Sequence, residues 1–319
     1  MRKVQTAVTT FDPPHSTNTV PTAINSAGWI VGRFNEAFGS PAHGFLRQSD
    51  GSFTIFDAPN AVNTYPQSIN SAGKIVGSFD EGDPNSVHGF LRQTDGSFTV
   101  FDAPNATITS PVVINDAGWI AGTDSAGPNS VHGFLRRQDG GITVFDVPDS
   151  AGTSPTGITP AGEIVGVAFK AGFRGGGGFL RQRDGTITTF EVAGFDFTLS
   201  DAINPSREIA GSCTNVAGYP QCFIRHTDGS IITFVPPGSI SSSSVGMTPA
   251  GQIVGYYYLG SLAGTSHGFL RQKDGTLNTF DASEALSTIP VAITPGGEIV
   301  GYTVGVGGWD RHGFILTKK

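Results

Sequence analysis

Charge is scarce in this sequence. Asp, Glu, Lys and Arg make up 14% of 319 residues, with 19 cationic against 26 acidic side chains and a formal charge of −7. An acidic chain without a Lys/Arg cluster is a poor match for a phosphate backbone, which argues against a nucleic-acid partner. No run of about 18 apolar residues occurs, so no membrane insertion is expected. Met1-Arg2-Lys3-Val4-Gln5 is basic but passes straight into patterned sequence, without an apolar signal-peptide core. Helix-period patterning is missing throughout. Cys213 and Cys222 are the two cysteines, and they flank one expected hairpin loop. A local disulfide is sterically reasonable there in an oxidising compartment; two free thiols are the alternative. With no CxxC pair and no Cys/His cluster at ligand spacing, neither metal nor cofactor is expected.

What the chain has is Gly, at 45 residues, Phe, at 23, and an internal repeat. Ile24-Asn25-Ser26-Ala27-Gly28-Trp29-Ile30-Val31-Gly32 returns at 69–77, 114–122, 158–166, 203–211, 247–255 and 293–301, its closing glycines 44 to 46 residues apart. His43-Gly44-Phe45-Leu46-Arg47 recurs around Phe90, Phe134, Phe179, Phe223, Phe269 and Phe314. Thr54-Ile55-Phe56-Asp57 recurs at Phe101, Phe145, Phe190, Phe234 and Phe280, and its seventh copy is Thr9-Thr10-Phe11-Asp12 at the opposite end. Each copy offers four strands: one ending at Ile24-Asn25, then Trp29–Phe34, His43–Gln48 and, after the Asp50-Gly51 turn, Phe53–Asp57.

Four strands in about 45 residues fit a propeller blade. The last copy stops after its third strand, and the first begins with an orphan fourth strand, Ala7–Asp12. One half fits the other, which closes a ring. The expectation is an all-β, seven-bladed β-propeller of four antiparallel strands per blade, the N-terminal strand completing the last blade. It forms a single domain over 1–319, with blades near 20–59, 65–104, 110–148, 154–192, 199–237, 243–282 and 289–319 plus 6–14. These strings resemble the bacterial HAF (His-Ala-Phe) repeats over nearly the whole chain, with Gly here for the middle Ala at Gly44, Gly89, Gly133, Gly268 and Gly313. The resemblance implies an extracellular or periplasmic location and transfers no catalytic residue.

Residues common to every copy are explained by building the blade. His43, His88, His132, His267 and His312 are therefore expected to pack and bond a neighbouring blade rather than to converge on a metal. Asp12, Asp57, Asp102, Asp146, Glu191 and Asp281 are expected to cap the following loop as Asx-type turns. Departures from the pattern are more informative, and the longer second-to-third and fourth-to-first strand loops vary most. Asp201 stands where other copies have Thr22, Gln67, Val112, Thr156, Val245 and Val291, at the expected mouth of an inner strand. With Asp196, Lys170 and Arg174 it would form a mixed-charge pocket; a solvated loop acid is the bland alternative. Tyr256, Tyr258, Trp309, Asp310, Arg311, Glu36 and Phe38 form a second aromatic and acidic group, against which stands mere packing of loop aromatics. The acidic run Asp80–Asn85 lacks EF-hand spacing, Gly175–Gly178 opens no helix, and GxSxG is missing.

These residues favour a non-catalytic, monomeric binding propeller outside the cytoplasm, recognising a glycan, polysaccharide or protein through the variable loop face. The alternatives are a polymer-acting lyase or hydrolase using Asp201 and Arg174 at the channel mouth, and a structural module of a surface protein.

Overall fold

Short runs rich in Val, Ile, Thr and Phe, bounded by Gly, Asn and Asp turns, favour strands. The computed structural model describes residues 6–127, 130–173, 175–260, 265–282, 287–305 and 308–318. They hold 28 strands and one three-residue 3-10 turn, Ala171–Phe173. In the first repeat β2 (Asn18–Ile24), β3 (Ile30–Asn35), β4 (His43–Arg47) and β5 (Phe53–Phe56) form an antiparallel meander. The sequence expectation misses these bounds by a residue or so.

The same meander recurs down the chain, and its first strands are β2, β6 (Asn63–Ile69), β10 (Ile108–Ile114), β14 (Gly152–Ile158), β18 (Phe197–Ile203), β22 (Ser241–Met247) and β26 (Ser287–Ile293). Each touches the next, and β26 touches β2, so the first strands close a circle. The last meander, β26, β27 (Ile299–Val304) and β28 (Arg311–Lys318), takes its outer strand from β1 (Thr6–Phe11), with Thr6 opposite Lys318 and Phe11 opposite Gly313. Single parallel bridges, such as Asn18 with Arg311, link neighbouring meanders and join the strands into four sheets. A ring of radial meanders is a β-propeller.

Packing explains the repeated letters. A Cβ on Gly32 would lie 2.4 Å from the Val20 carbonyl oxygen and 2.7 Å from the Phe45 ring, and the equivalent glycines are equally confined. The opposing first strand bulges at this point, between Pro21 and Ala23. Arg47 lies over Phe11 at 5.1 Å and Arg92 over Phe56 at 4.8 Å; each third-strand arginine of this kind covers the outer-strand ring of the preceding meander. The turn residue Asn25 accepts from the Ala27 and Trp29 amides and donates to the carbonyl of Asn70, its counterpart one repeat on.

Three expectations are corrected. The histidines do not bond a neighbouring blade: each pairs with an acid across its own outer hairpin, as in His43–Asp57 at 2.9 Å and His132–Asp146 at 2.9 Å. Adjacent third and fourth strands bring them together. Asp12 alone among the hairpin acids also reaches the next loop among the described residues, accepting from Thr19 Oγ1 at 2.6 Å; elsewhere a buried threonine caps that loop, as where the Ala58 amide donates to Thr64 Oγ1 at 3.1 Å. The cysteines are free. They lie on β19 (Ile209–Thr214) and β20 (Pro220–Arg225), where Cys213 faces Gln221 and Cys222 faces Ser212. Side chains one register step apart point to opposite sheet faces, and the two thiols sit in different core clusters.

Closure by β1 yields two expected outcomes. Phe11 is 7% exposed and packs on Phe45, Phe53 and Arg47, so Phe11→Ala lowers stability by about 3–5 kcal/mol in urea unfolding; a loss below about 1 kcal/mol would make β1 dispensable. His312 bonds Asp12 at 2.7 Å, and this bond, helped by the nearby Asp310, raises its pKa. A raised histidine pKa stabilises the fold fully below the unfolded value of about 6.5 and loses that effect as pH rises through the folded value. The stability gap between wild type and Asp12→Asn is therefore widest near pH 5.5 and shrinks by pH 8.5 in paired melting curves. A gap independent of pH would refute this.

Candidate functional site

Five repeats carry unusual residues on their two inner strands, and the backbone places them side by side. Asp201 is not at a strand mouth: it is the fifth of seven residues in β18, at the bulge between Ser200 and Ala202. Its Oδ2 accepts from Ser212 Oγ on β19 at 3.0 Å and from Ser244 Oγ on β22 at 2.6 Å. Ser244 occupies the column held by Pro21, Pro66, Pro111, Pro155 and Pro290, and the change supplies a hydroxyl and an amide, the latter donating to Ser212 Oγ at 3.1 Å. Asp201 retains partial exposure, yet the surrounding protein withholds most hydration. Burial pushes its pKa up to about 7, opposed by the two serine bonds.

Beyond Asp201, on β23 (Ile253–Tyr258), Tyr256 and Tyr258 meet edge to face at 5.9 Å. Burial raises the pKa of both phenols; Tyr256 also feels Tyr258, Tyr302 and Asp201. The series continues into the last repeat, where Arg311 lies over the Tyr302 ring at 5.4 Å, and into the first, where Arg33 lies over the Tyr65 ring of the second at 5.8 Å. Burial lowers the pKa of Arg33; Tyr65 opposes this and the like charge of Arg311 adds to it. Asp201, Tyr256, Tyr302, Arg33 and Tyr65 thus make a half-buried belt across five consecutive repeats.

Among the described residues the expected mixed-charge pocket does not assemble. Lys170 pairs with Glu191 at 2.8 Å where both side chains are about half exposed; Asp196 is exposed, with its amide donating to the Thr214 carbonyl. Arg174 lies outside the described residues. The aromatic group divides: Tyr256, Tyr258 and Arg311 join the belt, whereas Trp309 and Phe38 stack edge to face at 4.7 Å beside a cleft of about 650 Å³ that Asp310 and Asn18 also line. Asp310 bonds His312 at 3.1 Å, and Glu36 is exposed. Arg33, Tyr65 and Tyr302 escaped the sequence reading, although the column after Ile-Val-Gly reads Arg33, Ser78, Thr123, Val167, Ser212, Tyr256 and Tyr302. Among the described residues no group of three His, Cys, Asp or Glu is placed to hold a metal, and no helix is long and apolar enough to cross a membrane.

No family model matches the chain. No curated protein matches it in sequence. Solved structures do match in shape. The β-propeller domain of the Trilobed protease from Pyrococcus furiosus aligns with TM-score 0.69 and 10% identity over 95% of this chain and 96% of that one. The acylaminoacyl peptidase of Pyrococcus horikoshii gives 0.66 and 11% over 95% of this chain but 52% of its own, so this chain spans about half of that enzyme. TolB from Acinetobacter baumannii gives 0.52 and 13%, over 95% and 65%. At these identities the likeness fixes a propeller fold alone. It overturns the expectation of a non-catalytic propeller reading a glycan, polysaccharide or protein through its loop face: the similar structures are propellers of peptidases and of TolB, and they single out no such recognition.

A raised carboxyl pKa favours the folded state fully below the unfolded value, and the benefit is lost as pH climbs through the folded one. Asp201→Asn is therefore expected to match wild type near pH 4 and to exceed it at pH 8.5, by on the order of 2 kcal/mol in denaturant unfolding after allowance for partial exposure. A substitution that destabilises equally at both pH values would show a carboxylate bonded in its ordinary charged form.

Proposed function

We propose that the chain is a propeller domain that receives the end of an extended polypeptide at its axis, as the accessory partner of a peptide-hydrolysing unit. The observation that carries this reading is the belt of Tyr65, Tyr256, Tyr258, Tyr302 and Arg33 on the two inner strands, with Arg311 at the start of a third strand beside them. Half-buried phenols give a polypeptide broad apolar contact with a polar tip and little lost rotamer freedom. The peptidase propellers of similar shape lend it support.

The finer architecture belongs to the same proposal. It is a single seven-bladed domain over 1–319, with β26, β27, β28 and β1 as the closing blade, supported by the circle of first strands and the β1–β28 ladder. Membership of the HAF repeats and a location outside the cytoplasm, extracellular or periplasmic, are also part of it, supported by the repeated strings and the TolB likeness.

Calorimetric titration with a short, unstructured Ala/Gly/Ser peptide tests it. Binding with Kd of about 10–100 μM is expected for wild type, weakened at least tenfold in the Tyr256→Ala/Tyr302→Ala double variant with its melting transition retained. No heat of binding to wild type, or equal affinity for both proteins, would reject the axial reading.

A further inference from the structure

Arg33 and Arg311 are oddly placed for arginines in an acidic protein. They come from β3 and β28, either side of the seam between the first and last repeats, and lie close enough that their like charges act on each other. The charged or ionisable neighbours acting on Arg33 are Tyr65, Tyr302 and Arg311, with no carboxylate among them. Arg311 Nε is buried and bonds nothing, as is true of the Nε atoms of Arg47, Arg92 and Arg136. The nearest acid in sequence, Asp310, is turned to His312. Asp80, which acts on Tyr65, is held by Asn63 and the Gly82 amide. The third-strand arginines that close their strands lie over a phenylalanine, and Arg47 also donates to the Gln48 carbonyl; Arg311 opens its strand and lies over Tyr302. β2 lies between their strands, Asn18 pairing with Arg311 and Val20, two residues on, with Arg33, and two like charges acting on each other there are unfavourable until an anion joins them. Their planar forks suit one carboxylate held by parallel N–H bonds, beside the rings of Tyr65 and Tyr302.

We propose that Arg33 and Arg311 form a carboxylate-binding site that takes the C-terminal carboxylate of the polypeptide received at the axis; this assignment rests on the axial reading given above. The pair fixes chain polarity, and the flanking tyrosines hold the preceding residues without selecting their side chains. No bond is made or broken.

The test is titration of wild type, Arg33→Gln and Arg311→Gln with one Ala/Gly/Ser peptide prepared as the free acid and as the C-terminal amide. Wild type is expected to bind the acid at least tenfold more tightly than the amide, with the ratio falling as NaCl rises. In either variant the ratio collapses to about one while affinity for the amide is kept. Arg33→Gln without peptide is expected to melt no lower than wild type, since a repulsion is removed. Equal binding of acid and amide by wild type overturns the carboxylate site and leaves the axial reading standing. Failure of both peptides to bind wild type overturns both. A ratio surviving in both variants, or a large drop in melting temperature of Arg33→Gln alone, assigns these arginines to structure and rejects the site.

Discussion

A meander of four short strands cannot bury its own apolar faces, so the whole molecule depends on what each repeat presses against in the next. The core clusters show this directly. One joins Val31, Leu46 and Phe56 to Ile75, Phe79 and Phe90; another joins Val300 and Phe11 to Ile30, Phe34 and Phe45. The arginine lying over the preceding repeat's outer ring adds a contact in which a guanidinium covers an aromatic face while its head stays near water. An open stack would leave one such face bare at each end. β1 removes that problem, because Phe11 serves the last repeat as its outer ring and lies under Arg47 of the first.

This dependence also locates chemistry. The outer hairpins are held by His–Asp pairs and the turns by asparagine and threonine, so most polar side chains there are already committed to the fold. The second strand differs: after its glycine, a residue points across the seam to the next repeat, and its partner need only be compatible in size. Arg33 meets Tyr65, and Ser212 shares Asp201 with Ser244. Side chains in that layer are carried by paired strands, which hold them more firmly than loops hold theirs. The Phe38–Trp309 pair shows the contrast: its rings are 78% and 64% exposed and sit on connecting segments.

Repeat length, strand placement and the pairing of the two chain ends were legible in the sequence, because they follow from a period and from an unmatched half-unit at each end. The partners of individual side chains were less so. That His43 meets Asp57 depends on the hairpin register of β4 and β5, in which Gly44 stands opposite Phe56 and sets the flanking residues together. The Cys213–Cys222 disulfide failed for the same kind of reason, since a span of nine residues says nothing about which sheet face each thiol takes. Arg33 and Tyr302 were readable in principle. The column after Ile-Val-Gly sets them apart across the repeats, as the column of Thr22 sets Asp201 apart.

The fifth and sixth repeats carry one more lesson, that several odd letters can be a single event. Cys222 fills the third-strand column that is glycine in the other repeats. In the second repeat a Cβ on Gly89 would lie 3.0 Å from the ring of Pro111 on the following first strand. A cysteine in that position therefore requires something slimmer than proline opposite, and Ser244 is what the sixth repeat offers. Once serine replaces proline its hydroxyl is buried and needs an acceptor; Asp201 supplies one at 2.6 Å. Ser200 makes the same departure from proline one repeat earlier, with no such acid at hand, and its hydroxyl remains without a partner. Asp201 is thus anchored by packing needs on both sides, and its elevated pKa follows from being the acceptor that those needs demanded in a place with little water. Arg33 and Arg311, at the seam between the last and first repeats, lie over tyrosine rings and have no carboxylate acting on Arg33, and that difference separates a carboxyl explained by the fold from the cations proposed to bind one.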